Sequence, residues 1–287
     1  MTALTAHIPL AFAAASLLGL AIVAGQLGVR SAATLPGAVV ANASAAALFW
    51  AAAPWFLHGE GFDLPALAIF ALVGLFFPAA VTMLMLEGNR RLGPARTASI
   101  SGTTPLFAYA AAIAFLGEEL RPAGLLGTLV IVAGIVVLTG RAARAQTVFS
   151  TAWVLLPLAA AVIRGIAQIP VKYGLLWWPS PYAATLVAYS TSAALLGLLC
   201  GLRGQAIPLQ PAMGWFAAAG LSNGIGLLAM YGAILHGPVS VVAPIVATAP
   251  LVTLAVYVLF LRAERLTLRL LLGVGLTLAG VWMILLR

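Results

Sequence analysis

From about residue 8 onward the chain is a succession of continuously apolar runs, broken only briefly at charges, prolines and glycines. A helix that crosses a bilayer needs about 20 predominantly apolar residues. Runs of that kind fall at 8–29, 34–57, 65–87, 94–116, 122–140, 151–172, 181–200, 211–235, 239–261 and 267–286, which predicts ten spans. The strands of a membrane barrel would alternate apolar and polar residues, and these runs do not. Charged residues are only 7% of the 287 and hydrophobic residues 63%, where a soluble domain carries about 25% charge. Such a chain cannot coat a water-facing surface. The expected fold class is an all-α polytopic membrane protein. The first run follows a stretch without lysine or arginine and has the length of a full span, so it reads as a retained helix rather than a signal peptide. The lone Cys200 precludes an internal disulfide.

The two halves repeat at an offset of about 146 residues. Pro65-Ala66, Phe70-Ala71 and Gly74-Leu75 match Pro211-Ala212, Phe216-Ala217 and Gly220-Leu221. Gly93-Pro94 matches Gly237-Pro238, and Thr103-Thr104-Pro105-Leu106 matches Thr248-Ala249-Pro250-Leu251 after a slip of one. Glu118 and Leu120 match Glu264 and Leu266; Gly127 and Ala133-Gly134 match Gly273 and Ala279-Gly280. Gly19 with Gly165 and Ser44 with Ser190 are the weakest pairs. The predicted organisation is a first repeat at 1–145 and a second at 146–287. Five spans is an odd number, so the second copy is expected to sit upside down in the membrane.

Charge agrees. Of the 14 lysines and arginines, ten lie in or beside the odd-numbered connections: Arg30, Arg90, Arg91, Arg96, Arg141, Arg144, Arg203, Arg262, Arg265 and Arg269. The even-numbered side has Arg121, Lys172 and Arg287, and Arg164 falls inside a span. The net charge of +8 is thus an orientation signal rather than a nucleic-acid footprint, and by charge alone both termini lie outside the cytoplasm.

The motifs Leu92-Gly93-Pro94, Thr104-Pro105-Leu106, Leu116-Gly117-Glu118-Glu119-Leu120 and Ala133-Gly134-Ile135, with their second copies around Gly237-Pro238, Ala249-Pro250-Leu251, Glu264-Arg265-Leu266 and Ala279-Gly280-Val281, resemble the EamA-type branch of the drug/metabolite transporter superfamily. That resemblance covers essentially the whole chain. It implies ten helices in two inverted five-helix repeats and a central cavity with alternating access. It also implies a bacterial-type inner membrane and a cargo of amino acids or related metabolites, often exported. Many members keep both termini in the cytoplasm, the opposite of the charge count here.

Arg164 is the most informative single residue. It follows the apolar stretch Leu158 to Ile163 in mid-span, where insertion of an arginine costs about 2.5–3.5 kcal/mol. Gln168 and Lys172 follow at i+4 and i+8, a polar strip on one helix face that runs to one mouth. A guanidinium there suits a carboxylate, to which it can donate two parallel hydrogen bonds. The competing reading is a structural arginine on carbonyls freed near a helix break. Asn42, Asn223, Tyr189 and Tyr109 are further candidates for holding a solute, against a plainer role in bonding helices to one another. Trp50, Trp215, Tyr231 and Tyr189 could form an aromatic wall, and Trp177-Trp178 reads as an interfacial belt. Pro105 and Pro250 are expected to bend their spans alike, and Glu118 and Glu264 to cap helix ends.

All six acidic residues, Glu60, Asp63, Glu87, Glu118, Glu119 and Glu264, lie at span ends. Without a midplane carboxylate, proton-coupled export of cations is disfavoured. No metal, cofactor or catalytic constellation is expected, so the chain does not read as an enzyme. The partners expected are a small-molecule solute and membrane lipid, with no nucleic acid, and the chain is expected to be a monomer. The sequence reading is a carrier for amino acids or related metabolites. An organic-anion or phosphorylated-metabolite transporter using Arg164 and Lys172, and an intramembrane enzyme or scaffold, stand as alternatives.

Overall fold

The computed structural model describes residues 6–29, 32–57, 63–92, 94–144, 151–260 and 267–286. Arg30, His58, Glu60, Gly93, Arg262, Glu264, Arg265 and Arg287 lie outside them. The described residues are helical nearly throughout and form ten spans. Span 1 is His7–Val29, span 2 Thr34–Phe56, span 5 Pro122–Arg144, span 7 Pro181–Leu202, span 8 Pro211–His236 and span 10 Leu268–Leu285. The other four are interrupted. Span 3 runs Leu64–Gly74, widens over Leu75–Ala80 and resumes at Val81–Leu92. Span 4 is Pro94–Ser101 and Thr104–Leu116, span 6 Leu155–Ile166 and Gln168–Trp177, and span 9 Val239–Val246 and Ala249–Leu259.

Local chemistry sets these bounds. Proline stands in the first turn of spans 3, 5, 7 and 8, where its missing N–H is harmless. The Asp63 carboxylate accepts from the Ala66 N–H at 2.7 Å, capping span 3. Gly117 ends span 4 with φ 66°, a left-handed conformation that suits glycine. The breaks in spans 4 and 9 are copies of one another. Thr103 (φ −77°, ψ −7°) and Thr248 (φ −75°, ψ −1°) have nearly the same backbone, each just before the proline of its half-helix. Each hydroxyl donates 2.7 Å to a carbonyl three residues back, Ile100 or Ile245. Pro105 and Pro250 therefore mark one shared bend, as the repeat implied.

Packing follows the repeat. Span 1 lies on spans 8 and 9, and the equivalent span 6 lies on spans 3 and 4. Span 2 packs on span 8 and span 7 on span 3, while spans 2 and 7, and spans 5 and 10, meet their own equivalents. The last contact shows the inversion. A Cβ on Gly127 would lie 2.7 Å from the Gly280 carbonyl oxygen, and one on Gly134 would lie 2.9 Å from that of Gly273. The first glycine of each span thus meets the second of the other, so spans 5 and 10 run antiparallel. Only glycine permits this approach, the small-residue packing that joins helices where no hydrophobic force acts between them.

The weakest repeat match proves structural. Gly19 packs under the Ala249 carbonyl of span 9, and Gly165 under the Thr104 carbonyl of span 4, at equivalent places. The pairing of Ser44 with Ser190 needs correction by one residue. Gly220 approaches Ala41 and Ser44, and its equivalent Gly74 approaches Ala188 and Thr191, so Thr191 is the partner of Ser44. The two tryptophans also part company. Trp177 is 56% exposed on the outer surface, as a belt residue is. Span 6 ends at Trp177, and the extended backbone of Trp178 turns its ring inward against Phe70.

Candidate functional site

Arg164 ends the first half of span 6, one helical turn before the break at Ala167. It is half-buried. Its guanidinium lies 6.0 Å from the centroid of Phe77, on the irregular stretch of span 3. It is within electrostatic range of Tyr189 on span 7. Among the described residues no carboxylate pairs with it and no acceptor takes its hydrogen bonds. The structural role considered from the sequence, binding carbonyls freed at a helix break, is therefore not what these contacts show.

Around it lies a small polar set. The Asn223 amide of span 8 donates 2.8 Å to the Tyr189 hydroxyl. Tyr189 stacks on Phe49 of span 2 at 6.2 Å, and Tyr231 of span 8 lies close enough to interact with it electrostatically. Two buried polar atoms of this set have no partner, Gln168 Oε1 and the Tyr231 hydroxyl; Asn42 Oδ1 on span 2 has none either, and its amide donates only to the Ala38 carbonyl of its own helix. Unsatisfied buried groups of this kind cost about 1–3 kcal/mol each unless something occupies the site. With the register corrected at Ser44 and Thr191, Asn42 of span 2 is equivalent to Tyr189 of span 7. Phe77 of span 3 is equivalent to Asn223 of span 8. Tyr189 and Asn223 of the second repeat thus correspond to Asn42 and Phe77 of the first. Phe49 and Phe77 carry no polar signal and were not singled out from the sequence. The repeat alignment of Phe77 with Asn223 is the clue that could have found it.

The remaining candidates lie elsewhere. Tyr109 is fully buried at the far end of span 4, where its hydroxyl donates to the Arg121 carbonyl (3.0 Å) and accepts from the Arg121 N–H (3.3 Å). Trp50 and Trp215 face outward, 61% and 48% exposed, and Trp50 Nε1 donates 3.0 Å to Ser190 Oγ. The strip from Arg164 to Lys172 is divided. Gln168 Nε2 reaches back to the Arg164 carbonyl at 3.4 Å, whereas the Lys172 ammonium donates to the carbonyls of Ile234, Leu235 and Gly237.

Those carbonyls end span 8. Just beyond them, the Glu118 carboxylate accepts from the N–H groups of Val239 (2.8 Å) and Ser240 (3.0 Å), where span 9 begins. A cation on a helix C-terminus and an anion on the next N-terminus are both favourable for the helix dipole. Glu118 does cap a helix, but span 9 of the other repeat rather than span 5. The Tyr173 hydroxyl donates 2.5 Å to the Phe115 carbonyl, tying span 6 to span 4 beside them.

These ties shut one mouth, on the arginine-poor face. There the first half of span 9 packs on the second half of span 4, and the ends of spans 6 and 8 meet. On the arginine-rich face the equivalent pairs are the first half of span 4 with the second half of span 9, and the ends of spans 1 and 3. Among the described residues neither makes comparable packing. Burial agrees: all eight residues of Val239–Val246 are buried, but only Ala249 is buried in Ala249–Leu259. Among the described residues, packing closes one face and has no equivalent on the other.

Two inverted repeats around a polar set, with one mouth closed by packing among the described residues, is the architecture of a carrier. The model of the EamA-like transporter family matches residues 5–140 and again 151–286. The chain belongs to the EamA-like transporter family. Membership makes it a multi-pass membrane transporter of small solutes in a lipid environment. Twenty-eight solved chains are similar in fold. One of them has a TM-score of 0.74 at 20% identity, over 95% of this chain and 98% of that one. No curated protein matches the chain.

Proposed function

We propose that this EamA-like transporter carries amino acids or closely related metabolites, that Arg164 binds the solute carboxylate, and that the direction is export across a bacterial-type inner membrane. The observation that carries this reading is the half-buried guanidinium with no protein acceptor. A charged group inside a bundle normally pairs with a protein partner or marks a solute path. The orphan acceptor Gln168 Oε1, one helical turn from Arg164, offers what an ammonium group needs, so the pair suits a molecule bearing both charges. Tyr189, held by Asn223, and Tyr231 complete the solute's surroundings. Lys172 and Tyr109 serve the architecture of the closed mouth and the connection after span 4. The placement of Lys172 favours this reading over a phosphorylated cargo, which would want a second cation beside Arg164. Export follows family habit.

The test is flux of labelled amino acids and organic anions into proteoliposomes of the purified protein. Saturable amino acid flux that Arg164→Ala lowers about 100-fold in kcat/KM, with melting in detergent unchanged, is the expected result. It corresponds to one charged bidentate contact of about 2–3 kcal/mol. Flux indifferent to the substitution returns Arg164 to a structural role.

A further inference from the structure

We infer that this carrier is an exchanger: Arg164 lets the loaded form cross between its two open states and holds back the empty one. The inference rests on the carboxylate reading above and concerns what happens when no carboxylate is present. Alternating access requires an intermediate in which both mouths are shut. In the state seen here the guanidinium is only half-buried. A form with both mouths shut would bury it further. The guanidinium then needs a counter-charge, because a buried unpaired ion is far costlier than a paired one.

Among the described residues no carboxylate is left over as a counter-charge. Of the chain's six acidic residues four are described, and each is engaged at a span end. Asp63 caps span 3, Glu87 pairs with Arg90 and Arg91, Glu118 caps span 9 and Glu119 pairs with Arg121. Glu60 and Glu264 also belong to connections in the sequence. The equivalent of Arg164 in the first repeat is Leu18, so the other half provides neither a second cation nor an anion. Tyr189 is already the acceptor of the Asn223 amide and stacked on Phe49, and a neutral hydroxyl balances no charge. A solute carboxylate is what neutralises the site as it closes. An unloaded carrier therefore waits, open, for the next solute.

Purified protein in proteoliposomes would be assayed with labelled L-alanine, L-leucine and L-phenylalanine as probes, in a chloride medium free of other carboxylates. Counterflow would use vesicles preloaded with the same unlabelled amino acid. Net flux would use empty vesicles at the same outward concentration. Counterflow at least 100-fold faster than net uptake is expected, equivalent to about 2.8 kcal/mol of uncompensated charge. Arg164→Gln should bring the two rates together at weak affinity, and Arg164→Lys should keep them apart. If wild-type counterflow is saturable but net uptake is equally fast, exchange is overturned while the carrier reading stands. If none of the three probes shows counterflow, both fail together. The wild-type ratio alone decides the matter should a variant not fold.

Discussion

The inverted repeat places two helix pairs in equivalent positions, spans 1 and 8 on one side and spans 6 and 3 on the other, and they are built to opposite specifications. Spans 1 and 8 are unbroken over 23 and 26 residues. They pack along their length, with Gly28 against Phe216, Gly226 against Leu17 and Leu18, and the Ser222 hydroxyl donating 2.7 Å to the Leu17 carbonyl. Spans 6 and 3 are both interrupted, at Ala167 and across Leu75–Ala80. The charge sits in this second pair. Duplication supplies the frame, and divergence has kept one pair continuous while interrupting the other, which carries Arg164. Breaks free backbone polar groups and open room for a large side chain. A continuous small-residue contact allows neither.

The comparison can be broken by moving features from one pair to the other. Gly224 in span 8 is the equivalent of Pro78 in span 3, and lies against Ala45 and Phe49. Gly224→Pro should cost ~3 kcal/mol or more, because a proline inside an unbroken helix removes a hydrogen bond and clashes with the preceding turn. The readout is loss of the monodisperse folded peak and a collapse of the detergent melting temperature. If the variant is as stable as the parent, the two pairs do not differ as described. Leu18→Arg places a guanidinium in span 1 at the position of Arg164. About 2.5–3.5 kcal/mol of destabilisation is expected from a mid-span arginine with no path beside it, measured as lower membrane yield and melting.

Smaller changes sharpen the contrast. Tyr189→Phe removes the hydroxyl that accepts from Asn223 and should raise KM about tenfold, near 1.4 kcal/mol, with little change in melting. Ser222→Ala, in the rigid pair, should cost about 0.6 kcal/mol of stability, an average hydrogen bond between membrane helices, and leave flux alone. A flux defect at Ser222, or a stability defect alone at Tyr189, would blur the division.

Much of the frame is legible in the sequence because bilayer thickness acts on every span in the same way. Ten apolar runs, their repeat and the paired bends at Pro105 and Pro250 all follow from length, composition and the offset. The candidate site is legible only where it is polar. Arg164, Gln168, Asn42, Asn223 and Tyr189 stand out against an apolar background, whereas Phe49 and Phe77 do not. Lys172 looks on a helix wheel like the continuation of Arg164. A helical periodicity cannot register that the helix breaks at Ala167, nor that the free carbonyls at the end of span 8 lie within reach. Trp178 fails for the same kind of reason: its direction is set by where span 6 stops, one residue earlier.

The glycine contact between spans 5 and 10 has a consequence for assembly. Both of its sides are the same segment, met with itself in reverse, which makes it isologous in the sense used for twofold dimers. It is the kind of surface through which two separate five-span chains of opposite insertion would recognise each other. In one continuous chain it joins halves that no longer need to be identical, and the unequal helix pairs show how far that freedom has been taken.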